Sequence, residues 1–254
     1  MNTNKNSYTF IYASVMVIIV AFLLAFVSSS LKERQDNNVA LDKKKQILAA
    51  LNVFESGAAA TEAAYDKYIK ADQLLDTLGQ VLRNDSGFNV KNAEVCAEKL
   101  PLYVCEVEGE TKYVLPLYGA GLWGPIWGYV ALNADKETIY GVYFSHAGET
   151  PGLGAEITNR DKFQVPFIGK KALNADNEVV ISVVKNGKVQ NPETEVDGIS
   201  GGTITSQGVD AMLKSSIGLY KAFLAESACE KACCAAACDS TQCEPATEIQ
   251  VVNE

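Results

Sequence analysis

The sequence predicts an α+β protein, with a single N-terminal transmembrane helix followed by a mainly antiparallel sheet domain flanked by helices. Three observations carry that expectation. An uncharged apolar run lies near the start, strand-like segments crowd the stretch from residue 100 to 185, and helical periodicity brackets them on both sides. With 254 residues, 48% hydrophobic and 21% charged, the chain has enough apolar material for a sizeable core and is not disordered throughout. Its formal charge of −9 argues against a nucleic-acid partner, because nothing offsets phosphate repulsion. The single histidine, His146, excludes His-rich metal sites and the HExxH zinc motif, so no metal site is expected.

Residues 1–9 form a short N-terminal segment and residues 10–27 the anchor. No charge occurs between Lys5 and Lys32, and the apolar run reads FIYASVMVIIVAFLLAFV. At about 1.5 Å per residue it spans about 27 Å, close to the thickness of a bilayer core. A cleaved signal peptide, suggested by Ser28, Ser29 and Ser30, fits less well: the run exceeds the usual apolar region, and only Lys5 precedes it. Lys32, Arg34, Lys43, Lys44 and Lys45 follow the span, a bias that taken alone puts the globular part in the cytoplasm.

Residues 28–90 read as a helical membrane-proximal region. Asp42 to Phe54 places Ile47, Leu48, Leu51 and Phe54 at helical spacing, which predicts a short amphipathic helix. After a break at Gly57, Thr61 to Arg83 repeats the pattern with Tyr65, Tyr68, Ile69, Leu75, Leu78 and Leu82. Residues 91–226 form the main domain, with strands expected from Leu100, Thr111, Ile126, Thr138 and Glu178. Asn186 and Gly187 after the last of these predict a hairpin. A final helix over Ser206 to Ala225 carries a buried stripe of Val209, Met212, Leu213, Ser216, Tyr220, Phe223 and Leu224.

Residues 227–254 form an acidic, cysteine-rich tail. Cys229, Cys233, Cys234, Cys238 and Cys243 are not spaced as CxxC pairs and have no histidine nearby. They read as incidental or disulfide-bonded cysteines in an unstructured tail rather than a metal site. With Cys96 and Cys105 the total is seven, so at least one thiol is unpaired or pairs elsewhere.

Three glycine-rich segments are the candidates for chemistry. GAGLWG, Gly119 to Gly124, matches the GxGxxG dinucleotide fingerprint, but Pro125 and a strand follow where that fingerprint needs a helix. It reads as a turn between strands, with Leu122 and Trp123 available to a flat ligand. HAGETPGLG, His146 to Gly154, has an irregular backbone that a ligand can approach closely. DGISGGTITS, Asp197 to Ser206, runs straight into the final helix, so free amides and the positive end of the helix dipole converge there, which suits a phosphate. Thr205 or Ser206 is the expected N-cap, leaving Ser200, Thr203 and the other of the pair as free hydroxyls.

DGISGGT resembles the Asp-x-x-Ser/Thr-Gly-Ala-Thr signature of FMN-binding domains, with Gly202 in the alanine position. The segments from Val114 to Leu132 and from Gly148 to Ile157 are similar to the C subunits of the sodium-translocating NADH:quinone oxidoreductases. The resemblance runs from the anchor to about residue 226. It implies an electron-relay subunit in the inner membrane, with FMN joined by a flavin transferase through a phosphoester to Thr203, and a motif of Asp197, Ser200, Gly201 and Gly202. It implies a periplasmic domain and other membrane subunits as partners. Glu149, Thr150, Leu153 and Gly154 are placed by it beside the flavin ring, with Leu122 and Trp123 as apolar neighbours and Thr205 close by. His146 reads as a loop residue rather than a proton donor. The G subunit of the Rnf electron-transport complex shares the flavin motif but is shorter before the sheet. An anchored FMN-binding regulatory or assembly protein is the alternative of another class. The span holds no polar path for an ion and the chain no NADH site, so neither step is expected of this chain alone.

Overall fold

The structure, a computed structural model, describes residues 6–225, and the cysteine-rich tail lies outside the described residues. Its first element, α1 (Asn6–Ala50), is one helix of 45 residues. The anchor and the amphipathic segment from Asp42, expected as two helices, are one rod, because neither glycine nor proline interrupts the stretch. The apolar run over residues 10–27 is exposed along its whole length. Among the described residues α1 is the one helix long and apolar enough to cross a membrane.

The second expected helix is corrected further. α2 (Ala58–Tyr68) stops at Tyr68, and the chain continues as β1 (Ile69–Leu75) and β2 (Val81–Arg83). The apparent helical spacing mixed unlike positions: Leu75 is buried under the sheet, whereas Leu78 and Leu82 are exposed in and after the turn. β1 is fixed by pairing with a distant strand, from Ile69 opposite Cys105 to Leu75 opposite Leu100. Local periodicity cannot report that contact.

Four strands follow in sequence: β3 (Leu100–Val107), β4 (Glu110–Ala120), β5 (Pro125–Leu132) and β6 (Ile139–His146). The sheet order is β2-β1-β3-β4-β5-β6, with each neighbouring pair antiparallel. Both faces are covered, which is why these strands read as nearly continuous apolar runs. On one face Leu102, Leu115, Leu117, Val130 and Leu132 join a core with the last helix, and Phe144 stacks edge-on against Phe167 with centroids 5.3 Å apart. On the other, Tyr103, Cys105, Val114, Tyr129 and Ala131 receive Ile47, Ala50 and Leu51 of α1. Cys105 is buried there and Cys96 is exposed, and among the described residues neither forms a disulfide.

α1 is docked closely on β6. At Gly141 a Cβ would run into the Ala50 carbonyl oxygen, so only glycine admits the helix end. Asn52 Nδ2 donates to the Tyr140 carbonyl at 3.2 Å, and Lys43 Nζ donates to the carbonyls of Phe88 and Val90 at 2.6 and 2.7 Å.

The expected hairpin at Asn186–Gly187 is not formed. The turn is present, closed by Lys188 N–H to the Lys185 carbonyl, but β7 (Ser182–Val184) pairs in parallel with β8 (Glu195–Asp197). The intervening loop returns the chain to run in the same direction. α3 (Thr203–Gly218) starts three residues before the expected Ser206, and after a turn residues 221–225 are helical again. Val209, Met212, Leu213, Ser216, Tyr220 and Leu224 are buried as expected, and Phe223 is half-buried.

Candidate functional site

Three loops meet at the N-terminus of α3: the β4–β5 turn, the loop after β6, and the segment from β8 into α3. Gly201 adopts φ 77°, a left-handed conformation that favours glycine, and Gly202 is the N-cap residue. No side chain caps this helix, so the expectation that Thr205 or Ser206 does so is corrected: the helix begins at Thr203, which puts both inside its first turn. There Ser206 Oγ accepts from Ile199 N–H and donates to the Gly202 carbonyl, each at 2.9 Å. Thr205 Oγ1 instead donates to Glu149 Oε2 at 2.7 Å.

Glu149 is 5% exposed and ties the three loops together. Besides Thr205, its carboxylate accepts from Trp123 N–H at 2.9 Å and from the Leu122 N–H. Its own N–H donates to His146 Nδ1 at 3.2 Å, so the histidine at the end of β6 holds the loop backbone. Burial pushes the Glu149 carboxyl up, but the donors Trp123, Thr205 and Leu122, with His146 nearby, outweigh it and hold the group below its ordinary value of 4.5. Gly121 and Gly154 make room for it, since a Cβ at either position would collide with the carboxylate.

Above this carboxylate lies an open groove of about 210 Å³, lined by Leu122, Glu149, Thr150, Leu153, Gly154 and residues 201–205. The structure therefore gathers most of the residues singled out in the sequence into one place. Trp123 supplies its backbone to Glu149, while its side chain is 69% exposed outside the groove lining. Asp197 and Ser200 line a separate groove of about 370 Å³ with Asn186, Glu156 and Lys162. Ile204 was not anticipated. It is apolar, lies off the buried stripe of α3 and is 54% exposed beside Leu122 and Leu153 in the groove. An apolar residue between two threonines on the polar side of a helix start was the signal available.

The arrangement fits a flavin nucleotide. Thr203 is exposed at the polarised start of α3, where first-turn amides have no partner within the helix and favour a phosphate. Leu122, Leu153 and Ile204 offer apolar contact to a flat ring, and the absence of a side chain at the exposed Gly201 leaves the backbone there open to approach.

Comparison with known proteins agrees with this geometry. The family model for the FMN-binding domain matches residues 121–218. The chain is 32% identical to the C subunit of the Na(+)-translocating NADH-quinone reductase of Haemophilus ducreyi, over 84% of this chain and 90% of the relative. It is 31% identical to the C subunit of the same reductase in Pseudomonas aeruginosa, over 88% and 97%. The crystal structure of the corresponding C subunit from Parabacteroides distasonis superposes with a TM-score of 0.71 at 44% identity, covering 76% of this chain and 96% of that one.

Proposed function

Because the chain belongs to the family of C subunits of the Na(+)-translocating NADH-quinone reductases, we propose that its FMN is held by a phosphoester on Thr203. The chain is an FMN-carrying electron-relay subunit of a membrane oxidoreductase complex. The observation that carries the attachment reading is the exposure of Thr203, a hydroxyl-bearing residue at the start of α3 that lines the groove. Anchoring FMN by its phosphate leaves the ring free to accept and pass on electrons, with its potential tuned by the groove.

A phosphate monoester does not condense with a hydroxyl in water, so the flavin donor must carry a leaving group on phosphorus. Flavin adenine dinucleotide meets that need. Thr203 Oγ attacks the FMN-side phosphorus, the pyrophosphate bond breaks, AMP departs, and the hydroxyl proton passes to a base of the flavin transferase. Glu149 is not that base, since its carboxylate is committed to Thr205 and two backbone donors.

The domain stands on the periplasmic face of the inner membrane, against the local charge bias. A flavin made in the cytoplasm and bound reversibly outside would be lost to dilution, and a covalent link prevents that. The partners are the other subunits of the complex and the transferase.

Thr203→Ala, expressed with the transferase, should lose in-gel flavin fluorescence after denaturation, while Thr205→Ala should keep it. Fluorescence in Thr203→Ala would overturn the acceptor assignment.

A further inference from the structure

We propose that Asn186, outside the attachment motif, is a positioning residue for flavin transfer: the Asn186–Gly187 turn braces the acceptor loop so that Thr203 is presented in a competent geometry. The inference rests on the attachment reading above.

The loop from Asp197 to Gly202 is held from two sides, at its backbone and at the Asp197 carboxylate. From outside, Asn186 Nδ2 donates to the Gly198 carbonyl at 3.0 Å, and Gly187 N–H donates to Asp197 Oδ1 at 2.7 Å. Two consecutive residues of one turn thus engage two consecutive residues of the motif. Gly198 N–H is also bonded to the Val184 carbonyl at 2.7 Å, just before the turn. From inside, Ser206 bridges Ile199 and Gly202. Between these fixed points Ser200 and Thr203 remain exposed.

The placement accounts for two features otherwise unexplained. Asn-Gly after a strand is the strongest hairpin signal in the sequence, yet no hairpin forms, and the turn contacts the acceptor loop instead. Asp197 belongs to the motif but lies outside the groove that holds Thr203, and one of its oxygens is already occupied by Gly187. At 2.7 and 3.0 Å for its two contacts, a brace of this kind lowers the entropy cost of presenting a loop to an enzyme. Removing it leaves the acceptor chemistry intact and reduces the fraction of chains with the loop in place.

The test uses the full-length chain purified without flavin, with a flavin transferase and FAD as the probe. The rate of covalent labelling is measured against concentration of the chain. Asn186→Ala and Asn186→Asp, which both lack the amide donor, should raise the apparent KM about five- to ten-fold and leave the saturating rate unchanged. Asn174→Ala is the control: its side chain closes a comparable turn, accepting from Asp176 and Glu178 N–H, away from the loop. Its KM should match wild type.

An unchanged KM in the Asn186 variants overturns the proposal, as does an equal rise in Asn174→Ala. Thermal melts and far-ultraviolet dichroism accompany each variant, and loss of fold in both Asn186 variants also overturns it, because the side chain would then serve the whole domain. Failure of wild type to label, or labelling of Thr203→Ala, would instead refute the attachment reading.

Discussion

The carboxylate of Glu149 and the hydroxyl of Thr205 meet at 2.7 Å beneath the groove, although 56 positions separate them in the chain. Thr205 is 1% exposed, so this is a buried, charge-assisted hydrogen bond that fixes the start of α3 to the loop after β6. Such a bond behaves differently from the helix cap that the sequence suggested.

Thr205→Val keeps the shape and removes the donor. It should cost about 1.5–3 kcal/mol, more than a lost cap, because Glu149 keeps its burial and loses a partner. Urea unfolding measures this, and Thr205→Ser should recover most of the loss. Flavin fluorescence should persist in both variants.

The lowered pKa of Glu149 sets a direction for acid sensitivity. Its folded value lies below the ordinary 4.5, so the carboxylate contributes stability above that value and loses it as pH falls through the folded one. Glu149→Gln should therefore be less stable than wild type at pH 7, and the gap should narrow on acidification. Melting temperatures of the pair between pH 7 and pH 3 would show a constant gap if the carboxylate were not the cause.

The two glycines before Thr203 should answer differently to alanine. Gly201 has φ 77°, and its Cβ would lie 2.7 Å from Leu153 Cδ2, so Gly201→Ala should cost about 1–2 kcal/mol. Gly202 has φ −108°, and its Cβ would meet Ile199 and the Gly154 nitrogen at 3.1–3.3 Å, which small shifts relieve. Gly202→Ala, which gives the residue usual in the signature, should be within about 0.5 kcal/mol of wild type. Chemical unfolding of both variants decides the contrast.

Protease added to intact spheroplasts should degrade the sheet domain and spare the anchor. Complete protection would place the domain in the cytoplasm and remove the dilution argument for a covalent flavin.

Much of the site was readable because it is written in contiguous segments. Asp197 to Ser206 and His146 to Gly154 each carry their glycines and hydroxyls locally, and the start of α3 turns one of them into a helix terminus. Glu149 shows the limit: in sequence it is a carboxylate in a polar loop, and its close packing depends on Gly121 and Thr205, both far from it in the chain. The strands from Leu100 to His146 were legible because apolar runs covered on both faces stay apolar throughout. Those at Ile69–Leu75 and Glu195–Asp197 were not, since each owes its form to a partner strand rather than to its own pattern. The start of α3 was missed by three residues because two good capping residues lay inside the helix.

The unbroken α1 makes the anchor a lever. Residues 28–39 stand exposed between the apolar run and the part of the helix that packs on the sheet, and the helix continues to Ala50. That arm is about 35 Å long at 1.5 Å per residue. A tilt of about 20°, ordinary for a membrane helix, would swing its far end by about 12 Å. Because the end is seated on β6, the sheet and its groove travel with it. A change in the angle of the anchor within a membrane therefore becomes a change in the position of the groove outside it.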